Sequence, residues 1–250
     1  MNKKKDQTER VDKVIVELGL VSTRARAQAM ILAGHVLMND EPVLKPGTLV
    51  RKDAQFRLRE PELKYVSRGA LKLKKALGEF NIIVTGKVAL DVGASTGGFS
   101  EVLLEAGIEK IHAIDVGTNQ LAWKIRSDPK VVSRENYNAR YLEYEHFNLF
   151  FDFIVMDVSF ISIRLILPAL NKVMKHGTEL IVLFKPQFEV GKEWVQDGGI
   201  VRDQELAQSV MNDTIAWVQK EIGLTVKGMI PSPILGTDGN HEYLIHWIKL

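Results

Sequence analysis

The segment Asp91-Val92-Gly93-Ala94-Ser95-Thr96-Gly97-Gly98-Phe99 follows the apolar run Val88-Ala89-Leu90 and precedes an amphipathic stretch ending near Ala106. That order predicts a strand, a glycine turn and a helix, and it limits the possible folds more than any other feature of the chain. An acidic residue closing a strand, then glycines that let backbone N–H groups come close to a ligand, is how an open parallel sheet holds a nucleoside-like group at its carboxyl edge. The spacing D-x-G-x-x-x-G-G departs from the dinucleotide fingerprint G-x-G-x-x-G, and it lacks the G-K-[ST] of a phosphate loop.

With 250 residues, 46% of them hydrophobic, the chain can fill one substantial α/β core and a small second one. The charge is unevenly placed. Residues 1–80 hold 17 Lys and Arg against 10 Asp and Glu, while residues 81–250 hold 16 against 21. A basic front and an acidic rear are what a polyanion-binding module ahead of a catalytic domain would show. There are no cysteines, which excludes disulfides, thiolate metal sites and a thiol nucleophile, and favours a cytoplasmic protein. No apolar run approaches the length of a spanning helix, and Met1-Asn2-Lys3-Lys4-Lys5 is followed by polar residues rather than a signal core. A soluble, unprocessed chain is expected.

From Arg10 to about Ala33 the periodicity is helical, with Val11, Val14, Ile15 and Leu18 on one face. Gly19 interrupts it, Ser22 or Thr23 caps a second helix, and Gly34 ends that helix. Short apolar stretches around Asn39-Asp40-Glu41, then Leu49-Val50 and Phe56-Arg57-Leu58, predict a small hairpin sheet. Glu60-Pro61-Glu62-Leu63 marks a boundary. The expected layout is a front domain over 1–59, a linker over 60–66 and a second domain over 67–250. In the latter, strands at Val88–Asp91, Ile111–Asp115, Val131–Ser133, Phe153–Asp157, Leu180–Phe184, Leu224–Ile230 and Tyr243–Ile248 alternate mostly with helical stretches. Such alternation predicts an α/β fold with a mostly parallel seven-stranded sheet and helices on both faces.

The glycine segment resembles the S-adenosylmethionine loop of class I methyltransferases, whose fold is Rossmann-like. The resemblance implies that cofactor, and it makes Asp91, Gly93, Ser95, Thr96, Gly97, Gly98 and Phe99 candidate contacts. Asp115, 24 residues after Asp91, ends the next strand and is placed to accept hydrogen bonds from ribose hydroxyls, with Val116 beside it. The fourth strand breaks off at Asp157, at the same edge, where a methyl acceptor would meet the cofactor. Asp157-Val158-Ser159-Phe160 lacks both prolines of the [DN]-P-P-[YF] pattern used on exocyclic amines, and a chain without cysteine cannot form the thiol adduct used at pyrimidine C5. Both exclusions point to an oxygen acceptor. An alcohol must lose its proton as the methyl transfers, which calls for an amine flanked by carboxylates. Lys185 at the tip of the fifth strand is the candidate base, with Lys72 on the helix entering the domain and Glu242 before the last strand as further members. No metal is expected.

Residues Arg10, Asp12, Ile15, Ser22 or Thr23, Arg24, Ala27, Ile31, Gly34, Val36 and Asn39 resemble the S-four-type RNA-binding module over about residues 8–58. Arg10, Lys13, Arg24, Arg26 and Lys45 there, and Arg68 beyond the boundary, are the candidate RNA contacts. In chain order, Lys72, Asp157, Lys185 and Glu242 resemble the Lys-Asp-Lys-Glu tetrad of the FtsJ-like RNA ribose 2′-O-methyltransferases. The whole chain is similar to the TlyA family, through Tyr65-Val66-Ser67-Arg68-Gly69-Ala70, the glycine segment, Asp157–Ser162, Lys185-Pro186-Gln187-Phe188-Glu189 and Gly239-Asn240-x-Glu242. The resemblance implies methylation of a cytidine ribose in ribosomal RNA within a ribosomal subunit. The chain's end at Leu250, after its last strand, leans toward the large subunit. Tyr65 stands where some relatives carry Trp. Two alternatives remain open, a membrane-acting cytolysin, suggested by the family's older haemolysin name, and a non-catalytic RNA-binding assembly factor. Gln187–Gly199 reads as a flap over the substrate or a plain surface loop.

Overall fold

A computed structural model describes residues 8–59, 64–236 and 238–250. The Glu60–Leu63 boundary and the N-terminal lysines lie outside the described residues. The chain forms two compact units, 1–64 and 65–250.

The front unit runs β1 (Thr8–Arg10), α1 (Val11–Glu17), α2 (Arg24–Leu32), β2 (Val36–Met38), β3 (Glu41–Pro42), β4 (Leu49–Arg51) and β5 (Phe56–Leu58). Val11, Val14, Ile15, Ala27, Ile31 and Val36 meet in its core. Thr23 is the α2 cap, its hydroxyl accepting from Arg26 N at 3.3 Å, and Gly34 adopts φ +73° just beyond the helix. The Asn39-Asp40 turn between β2 and β3 has positive φ at both residues, the conformation a tight hairpin requires. In two places the structure departs from the pattern read above. Arg10 lies in a strand and the helix begins at Val11. The segment 49–51 pairs with β1, not with the β3-β2-β5 hairpin sheet. A three-residue strand paired to a distant one leaves no periodic signal.

Asp12 is fully buried at the start of α1. Arg10 Nε and Nη2 donate to it at 3.0 and 2.9 Å, Arg24 Nε at 3.0 Å and Gln28 Nε2 at 2.8 Å. Arg10's bonds hold the carboxyl well below the usual carboxylate range despite its burial, with Gln28 and Arg24 adding to the effect.

The rear unit continues with α3 (Gly69–Glu79), β6 (Val88–Val92), α4 (Gly98–Glu105), β7 (Lys110–Ile114), α5 (Trp123–Arg126), β8 (Val131–Arg134), β9 (Phe151–Met156), α6 (Leu167–Asn171), β10 (Met174–Phe184), α7 (Gln204–Trp217), β11 (Leu224–Pro231) and β12 (Tyr243–Lys249). All seven expected strands form one sheet, in the order β11-β12-β10-β9-β6-β7-β8. β10, β9, β6, β7 and β8 run parallel, and β12 runs antiparallel to both its neighbours. The strands that cross the middle are buried on both faces, which is why they read as unbroken apolar runs. From β6 the chain steps through β7 to β8 on one side, then returns to place β9 on the other. The gap between the carboxyl ends of β6 and β9 is thus the topological switch point, where open α/β sheets bind ligands. Among the described residues no helix is long and apolar enough to cross a membrane.

Replacing Asp12 by Ala should cost the front unit about 2 kcal/mol, because charged hydrogen bonds are lost while both guanidinium groups still reach water. Hydrogen exchange of peptides from 8–59 in the full chain should show faster exchange in α1 and α2 alone. Asp12 titrates lower when folded, so its contribution is complete above the ordinary carboxylate value of about 4 and fades as the pH falls below it. The gap between wild type and Asp12→Ala should therefore narrow in acid.

Candidate active site

Three of the glycines in the turn after β6 are imposed by their surroundings. Gly93 has φ +79°, and a Cβ there would strike the Asp157 carbonyl and lie 3.1 Å from Val158 Cγ1. Asp157 N donates to Val92 O, which locks the turns after β6 and β9 at their closest approach, and Gly93 N donates to Ile114 O at the end of β7. Gly97 caps α4 at φ +95°, where a Cβ would come within 2.8 Å of Leu121 Cδ1. A Cβ at Gly98 would strike Ser67 Oγ and lie 3.0 Å from Ala70 N, so α3 and α4 pack closely only over a glycine.

Asp91 is fully buried beneath this turn. Ser100 Oγ donates to its Oδ2 at 2.6 Å, and among the described residues Oδ1 has no partner. Burial pushes its carboxyl up to about 7, partly offset by the Ser100 bond and reinforced by the negative charge of Asp157. Asp115 stands at the end of β7, accepting from Ser95 N at 2.8 Å and from Gly117 N at 2.7 Å. It therefore braces the glycine turn, while each oxygen keeps a lone pair for a further donor. Val116 beside it is exposed.

Two cavities meet at Gly93, Ser95, Asp157 and Ser159. One, of about 490 Å³, is walled by Val92, Ile114, Val158 and Ile161 with Asp115 at its edge. These walls suit a flat apolar ring next to hydroxyls. The other, of about 330 Å³, is polar and is lined by Lys72, Asp157, Lys185 and Glu242, with Thr96, Gly98 and Phe99 along its glycine side. A nucleoside carrying a positive charge fits this donor set, since the carboxylates of Asp91, Asp115 and Asp157 surround the turn, one oxygen of Asp91 having no partner among the described residues.

The four charged residues form two pairs. Lys185 Nζ lies 2.7 Å from Asp157 Oδ1 and 2.8 Å from Ser159 Oγ. Lys72 Nζ lies 2.5 Å from Glu242 Oε2. Lys72, Lys185 and Glu242 are each under a tenth exposed. Lys72 lies on the buried side of α3 with Ala70, Leu73 and Ala76, and Glu242 meets it there. Glu242 is set by a tight loop in which Gly236 N donates to Asn240 O, and Asn240 itself bonds Val201 N and Gly199 O.

Several functional positions were not singled out by sequence reasoning. Ser159 holds Lys185, and its signal was its place two residues after the strand-ending acid. Ser67 and Asn240 lay inside quoted motifs without a role. Of the candidate RNA contacts, Arg10 and Arg24 are gathered on Asp12, Lys13 pairs with Glu9 at 3.5 Å, and Lys45 is exposed. Arg26 follows the α2 cap, and Arg68 lines the polar cavity of the rear unit.

Comparison with known proteins agrees with this geometry. The FtsJ-like methyltransferase family matches residues 65–249, and the S4 domain matches residues 9–56. YqxC of Bacillus subtilis (strain 168), which carries an rRNA methyltransferase name, is 45% identical over 239 residues, 95% of this chain and 85% of its own. The 16S/23S rRNA (cytidine-2′-O)-methyltransferase TlyA of Mycobacterium tuberculosis (strain ATCC 25618 / H37Rv) is 43% identical over 242 residues, 96% of this chain and 89% of its own. A solved structure from Streptococcus thermophilus that carries a hemolysin name superposes with TM-score 0.76 at 44% identity, covering 98% of this chain and 89% of that one. Two domains matched in order, a shared fold and this degree of identity over nearly the full length lead to one conclusion: the chain belongs to the FtsJ-like methyltransferase family, in its TlyA branch with an S4 domain in front.

Proposed function

We propose that this protein methylates the 2′-oxygen of a cytidine ribose in ribosomal RNA, with S-adenosylmethionine as the methyl donor. The observation that carries this reading is the meeting of two buried lysine–carboxylate pairs, Lys185–Asp157 and Lys72–Glu242, in one cavity beside the glycine turn. The name of the Mycobacterium tuberculosis relative supports the substrate.

When bound, the cofactor supplies an electrophilic methyl on a sulfonium, and its departure leaves a neutral thioether. Asp91, Asp115 and the backbone from Gly93 to Phe99 would hold it, with Val92, Ile114 and Val158 against the adenine. Lys185 in its neutral form takes the proton that the ribose hydroxyl loses as the oxygen–methyl bond forms. Asp157 and Ser159 fix the amine for that transfer and accept its hydrogen bonds. Lys72, paired with Glu242, stabilises the negative charge that develops on the oxygen. The target nucleotide is flipped out to reach this cavity, since a stacked sugar is hidden from it. Arg10, Lys13, Arg24, Arg26 and Lys45 of the front unit, with Arg68, contact phosphates and set the register of the RNA. An alcohol acceptor explains why two lysines are held out of water here, where an amine acceptor would need neither.

Lys185→Ala should lower the rate of tritium transfer from S-adenosylmethionine to ribosomal subunits by about 1,000-fold, the scale of a lost general base. Its cofactor affinity by calorimetry should stay within about twofold. Full activity in that variant would overturn the assignment.

Gly93→Ala should abolish cofactor binding, because a Cβ cannot share space with the Asp157 carbonyl.

Asp91 changes charge near neutrality, and only its ionised form attracts a cation. Cofactor affinity should rise as the pH is raised through about 7, and Asp91→Asn should flatten the rise. A rise that persists in that variant would place the titrating group elsewhere.

A further inference from the structure

The loop after β9 carries Asp157 and Ser159, yet among the described residues no backbone N–H of residues 158–161 donates to a backbone acceptor. Phe160 within it has φ +64°, a conformation a phenylalanine rarely holds unaided. Something else must fix this loop. At its far end Glu189 accepts from Ser162 Oγ at 2.7 Å through one carboxylate oxygen and from Ile163 N at 2.8 Å through the other. Glu189 is itself bound to Lys185 through a hydrogen-bonded turn, in which Phe188 N donates to Lys185 O and Glu189 N to Pro186 O, both at 3.0 Å.

The geometry points to Glu189 as a positioning residue for the reaction proposed above, on which this inference rests: its carboxylate clamps the Asp157–Ser162 loop to the turn behind Lys185. Three links then join the two loops. The Lys185 ion pair with Asp157 and its bond to Ser159 lie at the cavity, the Phe160 and Phe188 rings meet at 5.2 Å, and the Glu189 clamp closes the far side. The charged group facing the clamp is Arg164, whose guanidinium is held by Thr214 Oγ1 and lies 5.6 Å from the Trp217 ring of α7. Burial raises the Glu189 carboxyl above its usual value, with Ser162, Ile163 and Arg164 opposing that rise. The clamp needs two acceptors facing two donors. A glutamine can keep it, its carbonyl accepting from Ile163 N while its amide donates to the Ser162 hydroxyl. An alanine cannot.

Competitive acetylation of the full chain with acetic anhydride, read peptide by peptide by mass spectrometry, tests the clamp without RNA or cofactor. In Glu189→Ala, Lys185 should acetylate about tenfold faster as its loop loosens, while Lys72, held by the separate Glu242 pair, should keep its wild-type rate as an internal reference. Glu189→Gln should label like wild type. In single-turnover methyl transfer, Glu189→Ala should be slower by about 30-fold with cofactor and RNA affinities within about twofold, and Glu189→Gln should recover to within about threefold. Unchanged Lys185 labelling in Glu189→Ala, equal acceleration at Lys72, or a glutamine variant that behaves like alanine would overturn the clamp. Labelling as expected from a wild-type protein that methylates no ribose would leave the clamp standing and refute the proposed reaction.

Discussion

Two lysine amines are held nearly out of water within one cavity, and each is paired there with a single carboxylate. Withdrawing an ion from water costs several kcal/mol, and a buried pair seldom recovers more than that, so stability alone gives a chain no reason to keep two of them side by side. The remaining architecture is arranged to make the placement possible. β9 and β10 are adjacent and parallel, so Asp157 and Lys185 leave the sheet at the same edge. β12 runs antiparallel beside β10, so Glu242, ahead of its first residue, arrives at that edge from the opposite direction. α3 brings Lys72 across to meet it.

The glycine turn answers a geometric demand at the same place. The β6 and β9 turns approach so closely at Gly93 that backbone meets backbone, and this contact joins the apolar cavity to the charged one. A cofactor seated along the turn would lie with its nucleoside against Ile114 and Val158 and its reactive end toward the lysines. The front unit adds a second piece of charge organisation, in which buried Asp12 gathers Arg10 and Arg24 into one array. A carboxylate beneath two arginines removes rotamer freedom that binding a phosphate would otherwise have to remove.

Much of this was legible in the residues. Parallel strands buried on both faces are continuous apolar runs, which made the middle strands of the sheet visible, and the acid and lysine that end β9 and β10 interrupt those runs at the carboxyl edge. Lys72 and Glu242 were harder. By residue type each belongs on a surface, and only the FtsJ-like pattern tied them together, because the two are 170 residues apart and their pairing depends on tertiary packing. Asp12 stood in the S-four-type pattern, but the convergence of Arg10, Arg24 and Gln28 on it depends on tertiary packing. The β1–β4 pair was hidden because three residues carry no period. Glu189 makes hydrogen bonds across loops that nothing local in a sequence marks, and Ser159 was signalled only by its place two residues after the strand-ending acid.

The roles of both lysines require the acceptor to be a ribose oxygen. The most direct test reacts ribosomal subunits with the protein and labelled S-adenosylmethionine, digests both RNAs to nucleosides and separates them by liquid chromatography with mass detection. The label should co-elute with 2′-O-methylcytidine. Label in a base-methylated nucleoside, or none in RNA at all, would contradict the role given to the two lysines.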